Sequence, residues 1–252
     1  MYDNLPNGET LNENNGKTVS SVTLSGRTLY KEGDWNTLTL PFGLDNLSGT
    51  PLQGGTLVEL DVDGWYDGST RYTEKAEGRK QTSYDSSDGT LYLYFKEATA
   101  IEAGKPYLVK WTTTGEDIAN SVFSNVTISN VSSDVTSDDG YVSFIGNYSP
   151  KTLTGGDASN LYLGNGNQLY WPSSDRTMNA FRGYFHVYLG ESGESQARAI
   201  KLNLDNITNV EAVQGARLKV QGEGTAYNLS GQRVTNDYKG IVIKGGKKFF
   251  KY

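Results

Sequence analysis

Cysteine is absent from the 252 residues, histidine occurs once (His186) and proline six times. Without cysteine there is no disulfide framework, no thiolate nucleophile and no cysteine-ligated zinc. A single histidine excludes a histidine-rich metal centre. No run approaches 18 consecutive apolar residues, so no transmembrane helix is expected. The opening MYDNLPNGETLNENNG has no apolar stretch of the kind a signal peptide needs. Basic residues are outnumbered, 23 Lys+Arg against 29 Asp+Glu, and form no stripe, which makes nucleic acid a poor partner.

What the chain does have is glycine (30), tyrosine (17) and abundant Ser, Thr and Asn. These residues weaken helices and suit short strands joined by tight turns. Strand signals recur from residue 17 onward. Trp35–Phe42 puts Leu38, Leu40 and Phe42 on one face, and Thr56–Val62 alternates in the same way. Leu91–Phe95 and Tyr107–Trp111, joined through Gly104, read as a hairpin. Asn160–Trp171, two apolar-aromatic runs around Gly-Asn-Gly-Asn, reads as a second. Such spacing predicts an all-β fold, an antiparallel β-sandwich with one wet face per sheet and possible jelly-roll topology, followed by a small C-terminal β unit. Residues 1–16 read as a flexible lead-in, 17–205 as the sandwich, 206–225 as a linker and 226–252 as a small β tail. Charge divides at the same place: residues 206–252 carry 8 Lys/Arg against 3 Asp/Glu, the remainder 15 against 26.

Candidate chemistry is sparse. His186 alternates with Tyr184 and Tyr188, opposite Phe185, Val187 and Leu189, which places it on the wetter face. No G-x-S-x-G elbow supplies a serine for a triad. Asp61, Asp63 and Asp67 cluster near glycines and offer oxygens to a hard cation such as calcium. The same residues serve equally as solvated turn acids, so no metal and no cofactor is expected. Trp65 and Tyr66, in a polar Gly-flanked segment with Asp67, Arg71 and Tyr72, are the candidate platform for stacking on sugar rings. The alternative is a tryptophan folded back as a lid. Trp111 and Trp171 read as core. A pair of carboxylates for glycoside hydrolysis has no local signature among the 29 acids. Lys239, Lys244, Lys247, Lys248 and Lys251 would suit phosphate-bearing headgroups, or would simply protect strand edges from aggregation.

Tyr227–Val234 (YNLSGQRV) followed by Lys239–Lys248 (KGIVIKGGKK) resembles the ending of many secreted Bacteroidetes proteins, a short relative of the C-terminal sorting domains of type IX secretion. Gly33–Phe42, Ile101–Lys110 and Ala180–Phe185 are similar to a β-rich module of Bacteroides and Prevotella surface proteins. The resemblance implies secretion or display at the outer-membrane surface, a tail that touches export machinery or that surface, and no transferable catalytic motif. The expected function is a non-catalytic adhesin-like or spacer module whose partner is a glycan or another surface protein. A carbohydrate-binding module using Trp65 and Tyr66 is the alternative, and a small glycoside hydrolase stands behind it.

Overall fold

Segments rich in Val, Thr, Tyr and Phe form strands because branched and aromatic side chains fit a pleated surface, while Gly, Asn and Ser turn the chain between them. The computed structural model describes residues 1–113, 115–188, 197 and 199–204, and the backbone of 226–228, 233–234, 240–244 and 247–251. Over these residues the fold is all-β and sandwich-like, built from several mostly antiparallel sheets, with a single α-helix. The chain divides into two units, Met1–Gly215 and Ala216–Tyr252.

In chain order the first unit holds α1 (Gly8–Asn14), β1 (Thr18–Thr23), β2 (Thr28–Leu29), β3 (Asn36–Thr39), β4 (Thr56–Leu60), β5 (Trp65–Asp67) and β6 (Thr70–Tyr72). It continues with β7 (Ser83–Asp85), β8 (Thr90–Leu93), β9 (Phe95–Glu97), β10 (Pro106–Lys110), β11 (Ile118–Ala119), β12 (Val122–Thr127) and β13 (Val135–Thr136). It ends with β14 (Val142–Asn147), β15 (Lys151–Leu153), β16 (Asn160–Leu163), β17 (Leu169–Tyr170), β18 (Arg176–Met178), β19 (Arg182–Val187) and β20 (Ala199–Leu202). The second unit holds β21 (Ala226–Asn228), β22 (Arg233–Val234), β23 (Gly240–Lys244) and β24 (Lys247–Lys251).

The sheet β3-β10-β4-β9 is covered on both faces. On one side Leu38, Leu57, Tyr107 and Val109 pack with Val22, Phe123 and Val126 of the β1–β12 pair. On the other, Val58, Leu60, Phe95 and Leu108 pack with Val142, Phe144, Leu161 and Phe185 of the sheet β13-β14-β19-β16-β17. Phe144 stacks on Phe185 at 4.4 Å, and Phe95 meets both edge-on. A wet face on every sheet is therefore not what forms: all four residues of β3 and four of the five in β10 are buried. Continuous burial of this kind marks a strand between two layers. The pairing of β20 with β8 is parallel, against the antiparallel expectation.

Two further expectations are corrected. Leu91–Phe95 does not form a hairpin with Tyr107–Trp111. The run splits at Tyr94, whose amide donates to Thr82 Oγ1 and whose carbonyl accepts from the Asp61 amide. Before that point β8 pairs with β7 and β20; after it β9 pairs with β4, which lies between β9 and β10. The hairpin Asn160–Trp171 does form, with Tyr162 opposite Tyr170 and Leu163 opposite Leu169.

Residues 1–16 are not a loose lead-in. Tyr2 bridges to Ser25, Asn7 ties the backbone of Tyr2, Leu5 and Tyr148 together, and Leu11 of α1 is buried in the core beneath β1 and β12. Asp3 is buried and pairs with Arg182 at the start of β19.

In the second unit the order is β22-β21-β23-β24, all antiparallel, and β23 meets β24 in the register of a hairpin, from Gly240 opposite Lys251 to Lys244 opposite Lys247. This is the small C-terminal β unit. The expected linker, 206–225, lies outside the described residues.

Candidate functional site

The segment after β4 turns through Asp61-Val62-Asp63-Gly64 into β5, which pairs with β6 across Gly68-Ser69. Gly68 sits at φ +59, as a two-residue hairpin turn requires. The register sets Trp65 opposite Tyr72, Tyr66 opposite Arg71 and Asp67 opposite Thr70. Alternation along β5 then sends Trp65 and Tyr66 to opposite faces. Trp65 is half-buried, with the Lys75 ammonium 5.3 Å from its ring centre. Tyr66 is buried. Asp67 is exposed, and Tyr72 is half-buried beneath the Arg79 guanidinium at 3.5 Å. The side-by-side Trp65–Tyr66 platform is thus not formed, because a strand, not a loop, carries the two rings.

Asp61 organises this hairpin. Its side chain is fully buried. Arg71 Nε donates to Oδ2 at 2.5 Å and Tyr66 Oη donates to the same oxygen at 2.7 Å; the amides of Asp63 and Gly64 donate to Oδ1. Lys96 lies 3.5 Å from Oδ1 and 3.4 Å from Asp63. Burial alone would raise the Asp61 pKa, but the hydrogen bonds from Arg71 and Tyr66 and the charge of Lys96 hold it below its ordinary value. Burial and the Asp61 partner push the Tyr66 phenol well above its own ordinary value. A Cβ on Gly64 would run into Asp61 Oδ2 and sit 2.8 Å from Arg71 Nε, so only glycine closes over this carboxylate. These contacts overturn the calcium alternative at Asp61, Asp63 and Asp67. The oxygens of Asp61 are already committed to two cations, a phenol and two amides, and Asp67 is an exposed residue at the hairpin turn, opposite Thr70. Among the described residues no cluster of His, Asp and Glu could hold a metal ion.

The face of β5 that carries Tyr66 borders a cleft of about 440 Å³. Tyr66, Tyr92, Tyr94, Lys80, Lys201 and Asn203 line it, with Ser69 at the hairpin turn. Tyr66 stacks on Tyr94 at 4.1 Å with a 4° tilt, and Tyr92 follows at 6.4 Å. Ammonium groups of Lys80 and Lys201 lie 5.2 and 5.4 Å from the Tyr92 ring. The ring faces are thus largely taken by one another and by cations, leaving edges and hydroxyls. Tyr66 gives its hydroxyl to Asp61, whereas those of Tyr92 and Tyr94 have no hydrogen-bond partner among the described residues. Burial and the neighbouring Tyr92 push the Tyr94 phenol up to about 12, so it remains a neutral donor throughout the physiological range. Lys80 is paired with Asp85 at 3.3 Å; Lys201 has no carboxylate partner among the described residues. Asn203 is spent on the backbone of Phe95, bonding both its amide and its carbonyl. No carboxylate lines the cleft among the described residues.

Of the residues expected at a site, only Tyr66 belongs to this cleft. Tyr92, Tyr94, Lys80 and Lys201 were missed. The first two were visible in Leu91-Tyr92-Leu93-Tyr94-Phe95, where the tyrosines alternate with apolar residues and must share a face; the lysines had no local signal. Elsewhere His186 is half-buried on β19, its Nδ1 3.0 Å from Asn160 Oδ1 and its ring edge-on to Tyr188. Burial lowers its pKa, with Asp157 opposing. Trp111 and Trp171 are core, as their alternation implied. No described helix is long and apolar enough to cross a membrane. No protein-family model, curated protein or solved structure matches the chain.

Proposed function

We propose that the first unit is a non-catalytic recognition module of an exported surface protein, binding a glycan in the tyrosine cleft. The observation that carries this reading is that one cleft of about 440 Å³ holds two phenol hydroxyls with no hydrogen-bond partner, and an ammonium with no carboxylate partner, among the described residues. Hydroxyl-rich ligands are recognised by a few convergent polar groups in an aromatic-lined concavity. The cleft accordingly favours a sugar edge held by Tyr92, Tyr94 and Lys201 over a ring laid flat on Trp65. An adhesin acts in this way, by a binding surface on a rigid scaffold. Display at a surface follows from the resemblance of the tail, whose four strands would serve as the sorting or anchoring element.

The test is a glycan array followed by titration of the strongest hit. Lys201→Ala and Tyr94→Phe are each expected to weaken binding about tenfold, the effect of one hydrogen bond to a polar or charged partner, with the melting temperature nearly unchanged. Undiminished binding by both variants rejects the cleft. A wild type that binds nothing on the array rejects the glycan reading.

A further inference from the structure

The tyrosine cleft has a neighbour. A cavity of about 330 Å³ lies along β9, lined by Trp35, Phe95, Glu97 and Leu204 together with Arg71 and Lys96. It shares Tyr66, Ser69 and Asn203 with the cleft. Tyr66 and Asn203 are both held against the backbone of Phe95. The Tyr66 hydroxyl lies 3.4 Å from its carbonyl, and Asn203 bonds its amide and its carbonyl. These two side chains therefore lie low where the cavities meet, and the exposed Ser69 stands at the rim, on the hairpin turn.

The chain itself aligns the two cavities. Tyr92 and Tyr94 line the first, Phe95 and Glu97 the second, and all four belong to the run that passes from β8 into β9. Five residue steps of about 3.3 Å set an upper bound of about 16 Å on that length, more than one pyranose ring occupies. Most charges along it are spent. Arg71 and Lys96 are paired with Asp61, and Lys96 also with Glu59 and Asp63; Lys80 is paired with Asp85. Two charges have no opposite partner among the described residues, Lys201 in the first cavity and the exposed Glu97 in the second. They are of opposite sign and balance.

We propose that the two cavities form one groove and that its ligand is an uncharged linear oligosaccharide, not a single sugar. The inference rests on the glycan reading of the tyrosine cleft and extends it. One unit sits against the Tyr92 and Tyr94 hydroxyls and Lys201. The chain then crosses over Tyr66 and Asn203, beneath Ser69, and a further unit gives hydroxyl hydrogens to Glu97. The second cavity thus supplies the carboxylate acceptor that the first lacks. An acidic chain is disfavoured at Glu97 and a cationic one at Lys201, so neutrality follows from the lining.

The experiment is calorimetric titration of the full chain with length series, from monosaccharide to tetrasaccharide, of linear glucans, mannans, xylans and galactans. Oligogalacturonates are the acidic comparator. In a neutral series affinity should rise about tenfold or more from the monosaccharide to the trisaccharide. Glu97→Ala removes the distal acceptor, and Thr56→Trp fills the second cavity from an exposed position in its lining. Each should weaken trisaccharide binding about tenfold and leave the monosaccharide unchanged, whereas Tyr94→Phe should weaken every member. Equal affinity for monosaccharide and trisaccharide, or a length gain that survives both Glu97→Ala and Thr56→Trp, overturns the proposal. In either case binding that still weakens on Tyr94→Phe keeps the glycan in the tyrosine cleft and removes only the extension. Tighter binding of the acidic series also overturns the proposal, and a chain that binds no series loses both readings.

Discussion

Replacing Asp61 by alanine should destabilise the first unit by about 2–4 kcal/mol, the cost of leaving a buried hydroxyl and buried backbone amides without their acceptor. The physical reason is that the carboxylate is the common acceptor of a partner set that cannot regroup without it. Arg71, the Tyr66 hydroxyl and two backbone amides all point at one buried group. Arg71 is partly exposed and recovers water when the pair is lost, so its share is small. The Gly64 amide has no such recourse, and the buried Tyr66 hydroxyl keeps only its longer contact with the Phe95 carbonyl at 3.4 Å. Denaturant melts of wild type and Asp61→Ala measure the gap. The pH dependence has a definite sign. The folded-state pKa lies below the unfolded one, so the stabilisation is complete above the ordinary carboxylate value near 3.8 and disappears as pH falls through the lower folded value. The difference between wild type and variant should therefore be full at neutral pH and shrink in acid. A gap under about 1 kcal/mol at neutral pH, the range of an exposed ion pair, would mean that Asp61 is a surface acid and that the hairpin is held by something else.

Deletion of residues 1–16 should be at least as damaging, on the order of 5 kcal/mol, enough to unfold a domain of ordinary marginal stability. Three losses combine. Leu11 leaves the core, which costs about 1.5–3 kcal/mol for a side chain of that size. Asn7 no longer ties Tyr148 to the N-terminal segment. Removal of Asp3 leaves Arg182 unpaired and leaves Arg27 and Arg182 to repel each other in a poorly hydrated place. Asp3→Ala isolates the last of these and should carry more than half of the effect, since buried charges are the most expensive groups to leave unmatched. Calorimetric melting of both variants checks the assignment. An unchanged melting temperature on deletion would return residues 1–16 to the loose lead-in suggested by their polar composition.

The contrast between those two readings shows how far the sequence could be followed. Alternation located one covered face of β3 and of the segment after it, where Leu38, Leu40 and Phe42 are all fully buried in the same core, but not the second layer that covers the other face of β3. The Gly-Asn-Gly-Asn hairpin was legible because turn chemistry is local. What was not legible depended on distant pairing. Leu91–Phe95 is continuous in composition, and only the carbonyl of Tyr94, taken by Asp61, shows that the chain changes sheets there. Residues 1–16 look polar because their anchors are an aspartate, an asparagine and one leucine, and partners that fix them, Tyr148 and Arg182 among them, lie more than 100 residues away. At the candidate site the sequence pointed to the correct hairpin and to Tyr66. It misjudged which rings share a face, since a three-residue strand was read as loop. Lys201 joins Tyr92 through a parallel pairing that nothing near either residue announces.

Recognition in the tyrosine cleft is most directly tested by mapping amide chemical shifts of the isotope-labelled chain during titration with the strongest array hit. The largest changes should cluster at Gly68, Ser69, Lys80, Tyr92, Tyr94 and Lys201, which border one cleft although they are scattered along the chain. Changes confined to the Trp65 side of the hairpin, or centred on the sheet that carries His186, would contradict the assignment.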